Sequence, residues 1–85
     1  KLYHREFSLN LYVNDIVGML AQVLNAISQL QLSVLTIHQS VPIEDKATIT
    51  LSLNARNSNL SIDEVIESLR EINHVTKVDL ISMTM

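Results

Sequence analysis

An alternating apolar segment passes directly into an amphipathic one at residues 6–20, EFSLNLYVNDIVGML. In its first part, Glu6–Val13, every second residue is apolar: Phe7, Leu9, Leu11 and Val13. This is the pattern of a strand with one buried face. The single glycine of the chain, Gly18, follows where a helix takes over. The first N–H groups of a helix have no intrahelical acceptor, so such a turn can hold a carboxylate or another anion. The segment therefore points to binding rather than to catalysis.

Two helices are predicted from apolar residues at helical spacing. The first carries Leu20, Val23, Leu24, Ile27 and Leu30. The second opens with Ser61-Ile62-Asp63-Glu64, in which Ser61 caps the helix and Glu64 reaches back, a capping box. Its apolar stripe is Ile62, Val65, Ile66, Leu69 and Ile72.

Three further strands complete the pattern: Ser33–Val41, Ala47–Asn54 and Val75–Met83. Pro42 ends the first of these, and the polar residues 43–46 provide a turn. The order βαββαβ with right-handed crossovers predicts an α+β, ferredoxin-like sandwich. Its four-stranded antiparallel sheet has the order 4-1-3-2, with both helices on one face. We expect one core from fifteen residues: Phe7, Leu9, Leu11, Leu20, Val23, Leu24, Ile27, Leu35, Ile37, Ile49, Leu51, Val65, Ile66, Leu69 and Val78.

Composition limits the classes of function. The 85 residues carry a net charge of −3 without a basic stripe, which argues against nucleic-acid binding by this domain. There is no cysteine, so disulfides and thiolate metal sites are excluded, and His4, His38 and His74 are too scattered to predict a metal site. We see no membrane-spanning run and expect a cytoplasmic location, no cofactor and no metal. Residues 1–85 are interpreted as one domain, cut from a longer protein.

The chain resembles the ACT domain, a small regulatory module that senses amino acids. Where that family usually has Asp-Arg-Pro-Gly-Val-Leu, residues 15–20 keep Asp15, Gly18 and Leu20. Residues 34–43 and 47–52 are similar to one subgroup, small bacterial ACT proteins of phenylalanine and threonine operons that carry the name chorismate mutase. In that subgroup the ACT domain is C-terminal to a short segment with a helix-turn-helix-like sequence.

The resemblance implies a ligand site on the first loop and on the start of strand two of a neighbouring subunit. The residues carried over are Asn14, Asp15, Ile16, Val17, Gly18, Met19, Leu20 and Ser33. In the family, loop amides hold the amino-acid carboxylate; here Ile16-Val17 replaces Arg-Pro, and Gln31 replaces a usual glycine before strand two. Purely structural roles stay open: Asp15 as the N-cap of the helix, and Gly18 as a residue that allows a tight turn and close helix–sheet packing. We expect Gly18→Val to block the ligand and to leave the fold largely intact.

Three functions remain as hypotheses. The first is a regulatory module that binds an amino acid and dimerises, controlling amino-acid metabolism. The second is a chorismate mutase activity of the parent protein, for which cations must converge; Arg5, Arg56 and Arg70 fall on a strand start, a loop and a helix. The third is a structural dimerisation module without a ligand. We favour a non-catalytic domain and assign no catalytic residue.

The expected partner is a second copy of the chain. In the order 4-1-3-2, strands two and four are the sheet edges, and strand four carries Lys77 and Asp79, charges that discourage edge pairing. Strand two, Ser33–Val41, has no charged residue. We therefore predict a homodimer in which Ser33–Val41 pairs with its symmetry mate.

Overall fold

The computed structural model describes residues 6–14 and 17–84. Within them the elements follow in the predicted order, βαββαβ. The strands are β1 (Glu6–Asn14), β2 (Ser33–Gln39), β3 (Lys46–Asn54) and β4 (Val75–Thr84), and the helices are α1 (Met19–Gln29) and α2 (Ile62–Arg70). All neighbouring strands are antiparallel, in the order β2-β3-β1-β4. This is the predicted ferredoxin-like sheet, and the fold prediction is confirmed.

The core lies between the two central strands and the helices. Leu9 pairs with Leu51 and Leu11 with Ile49, and all four side chains are buried. Val23 and Ile27 of α1 and Val65 and Leu69 of α2 close the core from the helix side. On the other face of the sheet, Thr50 Oγ1 donates to Asn10 Oδ1 at 2.7 Å. The prediction that Leu51 belongs to the core is confirmed, and Thr50 lies on the opposite face of β3.

The core prediction is wrong for four residues, which are exposed in the structure: Leu20, Leu24, Leu35 and Ile37. The first two lie on α1, where the buried row is instead Met19, Val23 and Ile27. Leu20 and Leu24 form a second apolar row beside it, and each is 37% exposed. The apolar stripe of α1 is thus wider than the surface that the sheet and α2 cover.

Leu35 and Ile37 lie on β2, whose residues are all exposed. A register shift between Val34 and Thr36 makes Leu35 the extra residue of a β-bulge. Ile37 does face the helix side, because it pairs with buried Leu51, yet it is 40% exposed. The helices cover the two central strands and leave this edge strand open.

The start of α2 matches its prediction. Ser61 Oγ accepts the Glu64 N–H at 3.1 Å, and Glu64 Oε1 accepts the Ser61 N–H at 2.8 Å. Both bonds of the capping box are therefore present. They satisfy N–H groups that have no acceptor inside the helix.

The connection from β2 to β3 consists of residues 40–42, which have no regular secondary structure, and a tight turn at residues 43–46. Glu44 and Asp45 have φ of 53° and 64°, and the N–H groups of Ile43 and Lys46 each donate to the carbonyl oxygen of the other at 2.9 and 3.0 Å. Two central residues with positive φ match a type I′ turn. β2 ends at Gln39 rather than at the predicted Val41. The last hydrogen bond to β3 before the turn is from the Ser40 N–H to the Thr48 carbonyl, and the chain then leaves the pairing with β3 until the turn.

Candidate functional site

The first loop enters α1 through Gly18. Gly18 is the N-cap, with φ 88° and ψ 1°, and the first helical hydrogen bond runs from the Gln22 N–H to the Gly18 carbonyl at 3.0 Å. A Cβ at this position would have nothing within 4 Å. Among the residues described, then, no close approach explains the glycine, and the predicted role in tight helix–sheet packing is wrong. The left-handed backbone conformation requires it.

The N-termini of α1 and α2 differ in the part of the chain that the structure describes. The N-cap of α1 is a glycine, which has no side chain to accept a hydrogen bond, and the first turn has no acidic residue, while α2 has the capping box with Asp63 and Glu64. The alternative role of Asp15 as N-cap is also wrong, because Gly18 occupies that position. The N–H groups of Met19, Leu20 and Ala21 precede the first helical bond and have no acceptor within the helix.

The remaining loop residues differ in what they can offer a ligand. Asp15 and Ile16 lie outside the described residues. The Asn14 N–H donates to the His74 carbonyl at 2.9 Å and so is already used. The Val17 side chain is 100% exposed, whereas the Met19 side chain is buried in the core. Met19 can therefore contribute its backbone but not its side chain.

Ser33 does not lie near this loop within one chain. Asn14 pairs with Lys46 and Ser33 with Asn54, and these are the two ends of β3. At about 3.3 Å per residue the two ends are about 26 Å apart. The structure thus brings residues 14 and 17–20 together and leaves Ser33 at the opposite end of the sheet, exposed at the start of β2.

A second concave region lies at the turn end of the sheet, and the sequence interpretation missed it. Its volume is about 520 Å³. Its polar lining includes Tyr12, Ser40, Lys46, Thr48, Thr76 and Lys77. We call this region the end cavity. Sequence spacing could not reveal it, because a register shift between Tyr12 and Val13 sets which residues of β4 lie beside β1.

Of the three arginines singled out from the sequence, the two that the structure describes lie on different elements. Arg70 Nη1 pairs with Glu67 Oε1 at 3.4 Å on the surface of α2, and Arg56 lies in the loop after β3. Arg5 lies outside the described residues. Within residues 6–14 and 17–84, no three His, Asp or Glu side chains are grouped as metal ligands. In that same part of the chain, neither helix is long and apolar enough to span a membrane.

Comparison with known proteins gives a consistent picture. The sequence profile of the ACT domain matches residues 7–71. A UPF0735 ACT domain-containing protein of Staphylococcus epidermidis is 95% identical over 84 residues, which are 99% of this chain and 56% of that protein. The corresponding protein of Staphylococcus haemolyticus is 74% identical over the same shares of the two chains. The chain therefore spans a little over half the length of these relatives.

Solved structures share the fold at low sequence identity. The ACT domain from GTP pyrophosphokinase of Chlorobium tepidum superposes with a TM-score of 0.74 at 17% identity, covering 93% of this chain and all of that one. The regulatory subunit of aspartate kinase from Thermus thermophilus gives a TM-score of 0.69 at 18% identity, covering 96% of this chain and 54% of that one.

Proposed function

Because the chain belongs to the ACT domain family, we propose that it is a regulatory module that binds a free amino acid at the first loop. The module works as a homodimer paired through β2 and regulates amino-acid metabolism in the cytoplasm. Members of this family are generally ligand-binding regulatory modules. The regulatory subunit of aspartate kinase, which has the same fold, is named for such a role.

The open N-terminus of α1 is the observation that carries this proposal. Among the described residues, it has no capping side chain and no acidic residue in its first turn, unlike α2. The partial positive charge of a helix N-terminus favours an anion, and a free amino acid offers a carboxylate. The backbone N–H groups of Met19 and Leu20 are the proposed donors, with Asp15 available for the ammonium group of the ligand.

The loop also suggests the kind of amino acid. Val17 is fully exposed and Leu20 partly so, and they offer an apolar surface to a ligand side chain. Met19 is removed from that surface because its side chain is buried. An apolar or small amino acid suits these neighbours better than a charged one.

The dimer accounts for the apolar surface around β2. Leu35 is 48% exposed and Ile37 is 40% exposed on an edge strand that has no charged residue. α1, which packs on the β2 side of the domain, adds the exposed row of Leu20 and Leu24. Antiparallel pairing of β2 with its symmetry mate would bring Ser33 of one subunit opposite the Gln39 end of the other. That end of the sheet also holds the first loop, so the site would be shared.

The test is a thermal-shift screen of the twenty amino acids on the intact protein. A ligand present at about 100 times its Kd adds about 2.7 kcal/mol of stability, which raises the melting temperature clearly. Val17→Asp should reduce this increment, because its carboxylate repels that of the ligand. Val17→Asn has nearly the same shape without the charge and is the matched control. If no amino acid at millimolar concentration raises the melting temperature, the binding proposal is wrong.

A structural dimerisation module without a ligand is the second candidate, and the uncharged, exposed β2 favours it. The two candidates differ in one result. A protein that dimerises through β2 and shows no shift with any amino acid is a structural module.

A further inference from the structure

We propose that the end cavity is a second binding site, separate from the first loop, for a small organic anion: a carboxylate on an apolar body. The residues that line it belong to β1, β3, β4 and the β2–β3 connection, and none of residues 17–20 is among them. Its volume of about 520 Å³ falls within the range of about 300–1,000 Å³ found for small-molecule sites.

The charge of the lining selects an anion. Two lysines, Lys46 and Lys77, line the cavity, and no Asp or Glu among residues 6–14 and 17–84 does. In the described part of the chain, Lys46 has no carboxylate within ion-pair distance. Glu44 and Asp45 belong to the adjacent turn but do not line the cavity. Lys46 can therefore turn its ammonium group toward a bound carboxylate.

Lys77 lies close to two side chains, those of Tyr12 and Asp79. Its Nζ lies 5.5 Å from the centre of the Tyr12 ring and 3.5 Å from Asp79 Oδ2. In the Lys77–Asp79 pair the Lys77 side chain is 65% exposed and the Asp79 side chain 42% exposed, and solvent-exposed pairs of this kind are weak. The ammonium group has three donors, so an incoming carboxylate can share it with Asp79. The ring contact places the Lys77 ammonium group beside Tyr12, which also lines the cavity.

Hydroxyl groups supply further donors. Ser40 Oγ accepts the Thr48 N–H at 2.9 Å, a bond that uses a lone pair and leaves the Ser40 O–H to donate. Thr76 Oγ1 donates to the Tyr12 carbonyl at 2.9 Å, which fixes the side of the cavity formed by β4. The polar groups are thus partly ordered before any ligand arrives.

One valine and one isoleucine side chain that the fold leaves exposed suggest that the ligand has an apolar body. Val41 is 81% exposed and Ile43 is 73% exposed, and both line the cavity. They are not on a loose loop, because the type I′ turn and the bond from the Ser40 N–H to the Thr48 carbonyl hold the backbone on both sides. An apolar group lying against them would remove this surface from water, which is favourable.

Hexanoate is a suitable probe, since it joins a carboxylate to a short apolar chain. It is titrated into the intact, isotope-labelled protein, and amide shifts are followed by NMR. We expect saturable shifts at Ser40, Thr48 and Lys77. Hexylammonium, with the opposite charge, and inorganic phosphate, without an apolar body, should each bind several-fold more weakly. Equal binding of either one overturns the assignment to an organic carboxylate.

Charge variants locate the site. Lys46→Gln and Lys77→Gln should each weaken hexanoate binding about three- to fivefold, as expected for an exposed ion pair. Arg70→Gln removes the same charge from the surface of α2 and should have no effect. Val17→Asp should also leave hexanoate binding unchanged, which separates this site from the first loop. Shifts confined to residues 17–21, an equal loss in Arg70→Gln, or no saturable shift would each overturn the proposal.

Discussion

Gln31 adopts a backbone conformation that glycine adopts at much lower cost. It follows α1 with φ 61°, and its N–H donates to the Ser28 carbonyl at 3.0 Å. The next N–H, of Leu32, donates to the Ile27 carbonyl at 3.2 Å. This is the Schellman arrangement, in which glycine usually stands at the left-handed position. We predict that Gln31→Gly raises the free energy of unfolding by about 0.5–1 kcal/mol, measured by urea denaturation.

The matched control is Gln29→Gly, two residues earlier and still within α1. There the backbone is helical, so glycine relieves no strain and only increases the conformational entropy that the chain loses on folding. The free energy of unfolding should fall by about 1 kcal/mol. If both variants destabilise the protein equally, left-handed strain at Gln31 is not significant.

At Gly18 the sequence identified the residue and a turn as one reason for it, but the expected close packing is absent among the described residues. The glycine was expected to admit a close neighbour and to tolerate Gly18→Val, yet the space around it is open and φ is 88°. A periodicity shows where a helix begins; it does not show the backbone angles of its cap.

Valine is branched at Cβ and strongly disfavours positive φ. Gly18→Val should therefore lower the free energy of unfolding by about 1–3 kcal/mol, and Gly18→Asn by clearly less. Equal thermal denaturation curves for the two variants would contradict this explanation.

At the level of elements, α2 and β2 show what local sequence can and cannot reveal. The start of α2 was predictable because its capping residues lie within four positions of one another. The edge strand β2 was predicted at the right place in the sheet, but of the two residues predicted for the core only Ile37 pairs with an inward-facing residue, and Leu35 is the extra residue of a bulge. A bulge adds one residue, and a shift of one residue exchanges the two faces of a strand. Nothing in the alternation of residues 33–41 marks Leu35 as the extra residue.

The contrast between a central and an edge strand gives the next prediction. Leu51 on β3 is fully buried, so Leu51→Ala should cost about 2–5 kcal/mol of the free energy of unfolding. Leu35→Ala makes the same change on β2, where the side chain is 48% exposed, and should cost under about 1 kcal/mol when the protein is monomeric. Both values come from urea denaturation at low protein concentration. A cost at Leu35 as large as that at Leu51 would mean that β2 is covered in the single chain.

For the whole molecule, the sequence predicted the topology well and the sites only in part. Topology follows from the order and type of elements, which periodicity reveals. The end cavity depends on the pairing of Tyr12 with Lys77 and with Thr48 across two different strands. Such pairings depend on register, which the sequence does not state. The proposed amino-acid site is harder still to predict from the sequence, because Ser33 can reach the first loop only from a second subunit.

Dimerisation through β2 is the prediction on which that shared site depends. Thr36 and His38 pair with Ser52 and Thr50, so they lie on the exposed edge strand and face away from the core. A two-fold interface presents the same surface from both subunits, so lysines added to the middle of β2 face the added lysines of the other copy. Thr36→Lys with His38→Lys should therefore convert dimers of the intact protein to monomers in sedimentation velocity, without loss of folded structure. The control adds two lysines to the opposite edge, as Ile81→Lys with Ser82→Lys on exposed positions of β4, and should stay dimeric. A wild-type protein that remains monomeric at high concentration, or a β4 variant that dissociates instead, would place the interface elsewhere and leave Ser33 too far from the loop to bind.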